Sequence, residues 1–461
     1  MRQKPSAQRQ MRLCDSFTRR NLGAVPITVR NGSIRRWLFR CVLFTCVVAQ
    51  LVTPTTAAVA SETQAPPPLI KGWGILFQVI DRLQEYVDTH ALSSIHNDDI
   101  LSSSAVSLLL EANEKNSSSR RDELESALLA FSRQVAAFHA AGDAFDQLGS
   151  ETELRKLLGL FSDLQKFYSP EVLEAAHNLA NRFCCPMHPE VTGKKNASCA
   201  KCGMPLDTFV RLSPFVLPEG ARPAKIVKAN VNTDEPLRVG VKMNVRLYLM
   251  NLLGEPILPT DLREVHTQKV HLLIVDESLS DYHHEHPEPI GKSGEYDFGF
   301  TPQKPGPYQV WVDVQPYFTG IQEYVLAKID GATSGERLTD TTEKLTASAD
   351  GLHYKLSFKS SPKANEAVAG TLRVTKANGT PVTELEPIMG AFSHLAAFHA
   401  DGKTVLHIHP KTTHRLKNAD RGGPELDFQF YAPKPGFFRL FAQVQIAGEQ
   451  KFAPFGIVVK P

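Results

Sequence analysis

The sequence predicts a multidomain α + β protein with an N-terminal helical bundle, a small zinc-ribbon-like metal module and two tandem antiparallel β-sandwich-like repeats. Three observations carry this prediction. Apolar residues over 71–183 recur with a helical period. From about Ala221 onward they alternate in short runs between Pro and Gly, the pattern of strands. That second half also repeats itself in order. At 461 residues the chain is too long for one ordinary domain, and its 42% hydrophobic content supplies material for several cores. The expected segments are 1–60 as a signal peptide, 61–70 as a linker, 71–183 as the bundle and 184–208 as the metal module. The repeats follow at 209–330 and 349–461, joined by a linker over 331–348.

Residues 1–60 read as a targeting segment. A basic region ends at Arg35, Arg36 and Arg40, an apolar run extends from Cys41 to Val52, and Ala58-Val59-Ala60 is an Ala-x-Ala cleavage site. The apolar run is too short for a comfortable membrane span. This segment carries ten Lys or Arg against one acid, so its removal leaves 41 basic and 48 acidic residues. A mildly acidic remainder offers no electrostatic case for nucleic acid. No later stretch reaches spanning length, so the expectation is an exported protein of the periplasm or cell envelope without a membrane span.

Pro66-Pro67-Pro68 stiffens the following linker. Ile75, Leu76, Val79, Ile80, Leu83, Tyr86 and Val87 then mark a first helix. A second is expected from Asp98 to Ala112, and a third carries Leu124, Leu128, Phe131, Val135 and Phe138 on one stripe. Two more fit 151–167 and 170–182, the last opening with Ser169-Pro170-Glu171. Short links between them predict an antiparallel bundle. His139, Asp143 and Asp146 fall on one helical face, and His90, His96, Asp98 and Asp99 cluster at a junction. Metal could bind between such groups, but caps, surface pairs and a satisfied histidine are the expected reading.

The stretch from Cys184 to Leu206 holds every cysteine outside the targeting segment. Cys185 and His188 form a Cys-x2-His pair, and Cys199 and Cys202 a Cys-x2-Cys pair. Two such pairs on a short loop can close a tetrahedral site. Gly203 supplies backbone freedom for a tight knuckle, while Pro186, Pro189 and Pro205 stiffen the loop. Three readings stay open: a site for functional or transported metal, a structural Zn site, or disulfides among Cys184, Cys185, Cys199 and Cys202.

Residues 185–189 and 199–206 resemble the heavy-metal-binding module of copper-translocating P-type ATPases and metal-efflux adaptor subunits. That module runs Cys-Pro-Met-His-Pro, a spacer, then Cys-x2-Cys-Gly-Met-x-Leu. The chain departs from it where Asn196-Ala197-Ser198 replace a usual Pro-Gly and where Ala200 replaces a usual proline. The resemblance implies metal binding by Cys185, Cys199 and Cys202 with His188 as fourth ligand, and a partner in a metal-efflux or P-type ATPase system. Met187 and Met204 add soft thioethers, which suit Cu(I) or Ag(I).

In the β half, Gly254-Glu255-Pro256-Ile257 matches Gly379-Thr380-Pro381-Val382. His271 matches His394, His284-Glu285-His286-Pro287 matches His407-Ile408-His409-Pro410, and Tyr308 falls opposite Phe438. Asp401-Gly402 is a two-residue hairpin turn. It pairs Ala396 with His407 and His394 with His409, so His394, His407 and His409 share a face. Pairing His271 with His286 likewise puts His271, His284 and His286 on one face. Three imidazoles on one face suit Cu(II) or Zn(II). His283, His399 and His414 fall outside the repeat and are expected at the surface. His266 aligns near Met389, a pair that would add an axial or soft ligand. The Tyr and Phe residues and Trp311 are expected in the core.

The expected function is that of an exported heavy-metal binding protein, with copper or zinc as the ion, serving buffering, resistance or hand-over to an efflux system. The alternative is a structural interaction protein of the cell envelope stapled by Zn. No nucleophile signature, P-loop or dinucleotide fingerprint is present, so catalysis is not expected.

Overall fold

In the computed structural model, the described residues are 67–114, 118–212, 225–291, 293–331, 333–411 and 416–461. The predicted targeting segment, most of the first linker and His414 lie outside them. The chain over these residues is a multidomain α + β fold, helical first and then antiparallel β.

Five helices form the first part: α1 (Pro68–Asp88), α2 (Asp99–Asn113), α3 (Ser118–Asp143), α4 (Gln147–Gln165) and α5 (Pro170–Ala180). α1 begins inside the stretch read as a linker, because Pro68 is favourable at the first helical position. Its stripe Trp73, Leu76, Val79, Leu83 and Tyr86 is buried against Leu109, Leu128, Phe131, Leu157 and Phe161. Several described polar residues of the bundle form a cap or a pair. Asp146 accepts from the Gly149 N–H at 2.9 Å as the α4 cap. His139 pairs with Asp143 at 3.1 Å and buried Arg82 with Asp98 at 3.1 Å. No helix among the described residues is long and apolar enough to cross a membrane.

Three two-residue strands frame the cysteine stretch: β1 (Phe183–Cys184), β2 (Thr192–Gly193) and β3 (Thr208–Phe209), with β1 central. The first β domain contains β4 (Lys228–Thr233), β5 (Met243–Met250), β6 (Val270–Asp276), β7 (Tyr282–Glu285), β8 (Glu288–Ile290), β9 (Glu295–Phe300), β10 (Tyr308–Val314) and β11 (Glu323–Ile329). Its sheets run β4-β5-β9-β8 and β11-β10-β6-β7. The second contains β12 (Thr346–Ala349), β13 (Leu352–Phe358), β14 (Ala367–Lys376), β15 (His394–His399), β16 (Val405–Ile408), β17 (Glu425–Tyr431), β18 (Gly436–Ile446) and β19 (Glu449–Val459). Its sheets run β12-β13-β14-β17 and β16-β15-β18-β19. β12 starts inside the predicted second linker.

Each domain is a sandwich. Leu272, Ile274, Val310 and Val312 of one sheet face Val245, Leu247, Tyr296 and Phe298 of the other, and the second domain packs Leu395, Leu440 and Phe455 against Leu372 and Phe428 in the same way. The odd residues of β6 and the even residues of β15 point away from their own sandwiches. They meet each other: Leu273, Val275, Tyr282 and Trp311 of the first domain pack on Ala396, Phe398, Val405 and Phe441 of the second. Tyr282 stacks on Phe441 at 4.7 Å. Both faces of β6 and β15 are therefore covered, and nearly every residue of both strands is buried. This seam explains why Trp311 and Tyr282 are buried although they face outward from their own domain.

Candidate metal centres

The thiol-rich group is held by the knuckles that the spacing predicted. The Cys199 N–H donates to Met204 O at 2.7 Å and Gly203 N–H to Cys199 O at 2.8 Å, with Gly203 at a φ of +79°. Cys185 Sγ lies 3.8 Å from His188 Nδ1 and 3.5 Å from Cys202 Sγ, and Cys199 Sγ lies 3.8 Å from His188 Nδ1. A tetrahedral ion with bonds of about 2.0–2.3 Å sets its ligands about 3.3–3.8 Å apart. All four cysteines among the described residues are free thiols, and a sulfur separation of 3.5 Å is far beyond a disulfide bond. Hydrogen bonds from the Cys185 and Cys202 thiols hold Cys199 well below the usual thiol range, while those with Cys199 and Cys202 push Cys185 up. Cys184, outside the group, is pushed up to about 12, chiefly by burial. Phe183, Leu206, Met187 and Met204 pack around the site.

The module also touches both β domains. The Gln322 N–H donates to Pro186 O at 3.0 Å, and Thr208 Oγ1 donates to Gly320 O at 2.8 Å. On the other side His188 meets the Tyr431 ring edge-on at 5.3 Å, and Lys201 Nζ lies 4.5 Å over the same ring.

In the first β domain the register Leu272 opposite Glu285 continues to the predicted pairing of His271 with His286. His271 Nδ1 sits 3.3 Å from His284 Nε2 and 3.2 Å from His286 Nε2. In the second, Ala396 pairs with His407 as the turn required, and His394 Nδ1 sits 3.3 Å from His407 Nε2. His409 completes this group, with its Nε2 buried and unpartnered. Each of the three groups keeps its ligand atoms within 4.8 Å of one another.

The far side of the rings decides which nitrogen is bare. His271 Nε2 faces Val265 O at 2.9 Å and His394 Nε2 faces Ile388 O at 3.0 Å. A carbonyl only accepts, so these nitrogens carry the protons and both Nδ1 atoms are bare. His284 Nδ1 donates to Gln443 Oε1 at 2.8 Å, and His407 Nδ1 donates to Asp313 Oδ2 at 2.8 Å. Their Nε2 atoms are therefore bare as well. Lone pairs then face lone pairs at 3.3 Å, an arrangement that a cation between them satisfies. Burial holds these imidazoles below their usual range: His286 to about 3, His271 lowered, and His284, His394, His407 and His409 well below the ordinary value. The same cause pushes Asp313 up to about 6, against the pull of His271.

Three residues differ from the sequence expectation. His266 leaves its own domain's group and stacks on His409 of the other domain at 3.6 Å. His283 turns inward to the Phe300 ring at 5.1 Å and pairs with Asp281 at 3.1 Å. His399 is mostly covered, and its Nε2 lies 3.1 Å from Pro435 O. Asp313 and Gln443 were missed altogether. A signal existed: they occupy equivalent positions in the two repeats, as polar residues within largely apolar strands, and both are buried.

Both β domains are similar to a domain of unknown function. The match to this family, DUF8832, covers residues 224–325 and 347–461. No curated protein matches the chain. Among solved structures, Escherichia coli alpha-2-macroglobulin activated by porcine elastase is 10% identical, with 51% of this chain and 20% of that chain covered and a TM-score of 0.17. MtrC from Shewanella baltica OS185 is 8% identical, with 50% and 68% covered and a TM-score of 0.15. A β-glycosidase from Bacteroides vulgatus is 12% identical, with 50% and 25% covered and a TM-score of 0.13. The chain spans about a fifth of the length of the macroglobulin.

Proposed function

We propose that this protein binds heavy-metal ions, copper or zinc, outside the cytoplasm, and buffers them or hands them to an efflux partner such as a P-type ATPase system. The observation that carries this reading is the set of ten sequence-separated ligands gathered into three buried groups at coordination spacing, with bare imidazole nitrogens facing one another. Thiolates and thioethers suit a soft monovalent ion, and three imidazoles suit a divalent one. One chain thus offers sites for two oxidation states of copper. The envelope location rests on the targeting segment, and the efflux partner on the module's resemblance. Binding, rather than catalysis, is the role proposed.

A structural Zn staple is the second reading, favoured by the module's hydrogen bonds to the first β domain and its ring contacts with the second. Dialysis of the purified protein against Zn(II), followed by metal analysis, separates the two. Three equivalents are expected, falling to two in a His394→Ala, His409→Ala variant and to two in a Cys185→Ser, Cys199→Ser variant. A single equivalent, unchanged by the histidine substitutions, would leave only the staple.

A further inference from the structure

The two imidazole triads are not independent. Ring centres of His271 and His284 lie 5.3 Å from His407, and His284 lies 5.7 Å from His394. These separations match those within each triad, such as 5.5 Å between His394 and His407. Each triad belongs to one repeat, yet the residue that orients its central histidine comes from the other. Gln443 of the second repeat accepts from His284, and Asp313 of the first accepts from His407. Asp313 stands opposite His271 in the register of β10 with β6, and Gln443 stands opposite His394 in the register of β18 with β15. The exchange is therefore reciprocal about the seam. It is unequal in charge. Asp313 is an acid whose second oxygen accepts from Gln322 Nε2 at 2.7 Å. Gln443 is neutral and spends its amide N–H on Gln450 Oε1 at 2.9 Å.

We infer that the triads form one paired centre for two divalent transition-metal ions at the seam, filled in order, with the His394, His407 and His409 site first. This rests on the metal-binding reading above and adds the order of filling and the residues that set it. A carboxylate behind an imidazole raises the basicity of the ligating nitrogen more than an amide does, and it offsets the charge of the incoming ion. The first ion loads where Asp313 stands behind His407. The second enters beside an existing dication, with only Gln443 behind His284, and binds more weakly.

Zn(II) titration of the full chain against competing chelators tests this, with His286→Ala and His394→Ala variants assigning each binding step to its triad. The wild type is expected to show two separated imidazole steps, the tighter one lost in His394→Ala. Asp313→Asn should weaken that step by about 10- to 100-fold and the His271 step by clearly less, because Asp313 bonds directly only to His407. Gln443→Glu should tighten the His271 step and bring the two together. This second variant keeps the test decisive if Asp313→Asn fails to fold. Two equal steps in the wild type, or steps unmoved by both substitutions, would overturn the order while leaving metal binding intact. Absence of any imidazole step in the wild type would overturn the metal-binding reading of the triads as well.

Discussion

Gly203 occupies the left-handed region at a φ of +79°, directly after the Cys199 and Cys202 pair. A Cβ there would meet nothing closer than Lys411 Cε at 3.5 Å, so substitution strains the backbone without a clash. Gly203→Ala should cost about 1–2 kcal/mol. Chelator competition should then report roughly tenfold weaker zinc at the thiol site, with Gly203→Asn less affected. The histidines bring a pH dependence. His266 and His286 titrate near 3 in the folded protein because burial opposes their charge. The unfolded chain binds their protons from about 6.5 downward. Their contribution to stability is thus present above about 6.5 and is lost as pH falls toward 3. Asp313, raised to about 6, acts in the opposite sense between about 4 and 6 but is one group against several. Denaturant midpoints of the metal-free protein should fall between pH 7 and 5, and saturating Zn(II) should restore the midpoint at pH 7 more than at pH 5.

Hairpins, at the next scale, are what bring the imidazoles together. The Gly402 N–H donates to His399 O at 2.9 Å, with Gly402 at a φ of +64°. This turn sets Ala396 opposite His407, and a slip of one residue would turn both histidines of β16 and its extension to the other face. Gly402→Val should therefore weaken the His394 site by at least about tenfold while sparing the thiol site, read by the same titration. These features were legible in the sequence because hairpin register is local. Turn chemistry and period-two alternation suffice to align His394 with His409 and His271 with His286. The helices were legible for the same reason, with α3 and α4 following their apolar stripes. Short-range steric preference does not reveal what covers a strand's second face. His283 and His399 were accordingly expected at the surface.

At the scale of the whole molecule the two sandwiches share a seam, and the two imidazole triads adjoin across it. Phe441 is 3% exposed and stacks on Tyr282 across that seam. Phe441→Ala should destabilise the β domains by about 3 kcal/mol or more. Hydrogen exchange should show faster opening of β6, β10, β15 and β18, and the two imidazole steps should weaken together, because each triad draws an orienting residue from the opposite repeat. The helical and strand segments, the repeat and the clustering of the same Cys and His side chains could be read along the chain, since these depend on local spacing. That the triads adjoin, that Asp313 and Gln443 cross between repeats, and that His266 joins the far group emerged from the packing of the two domains. Contacts between separate sheets depend on the shape and packing of whole faces, which no local pattern of residues encodes.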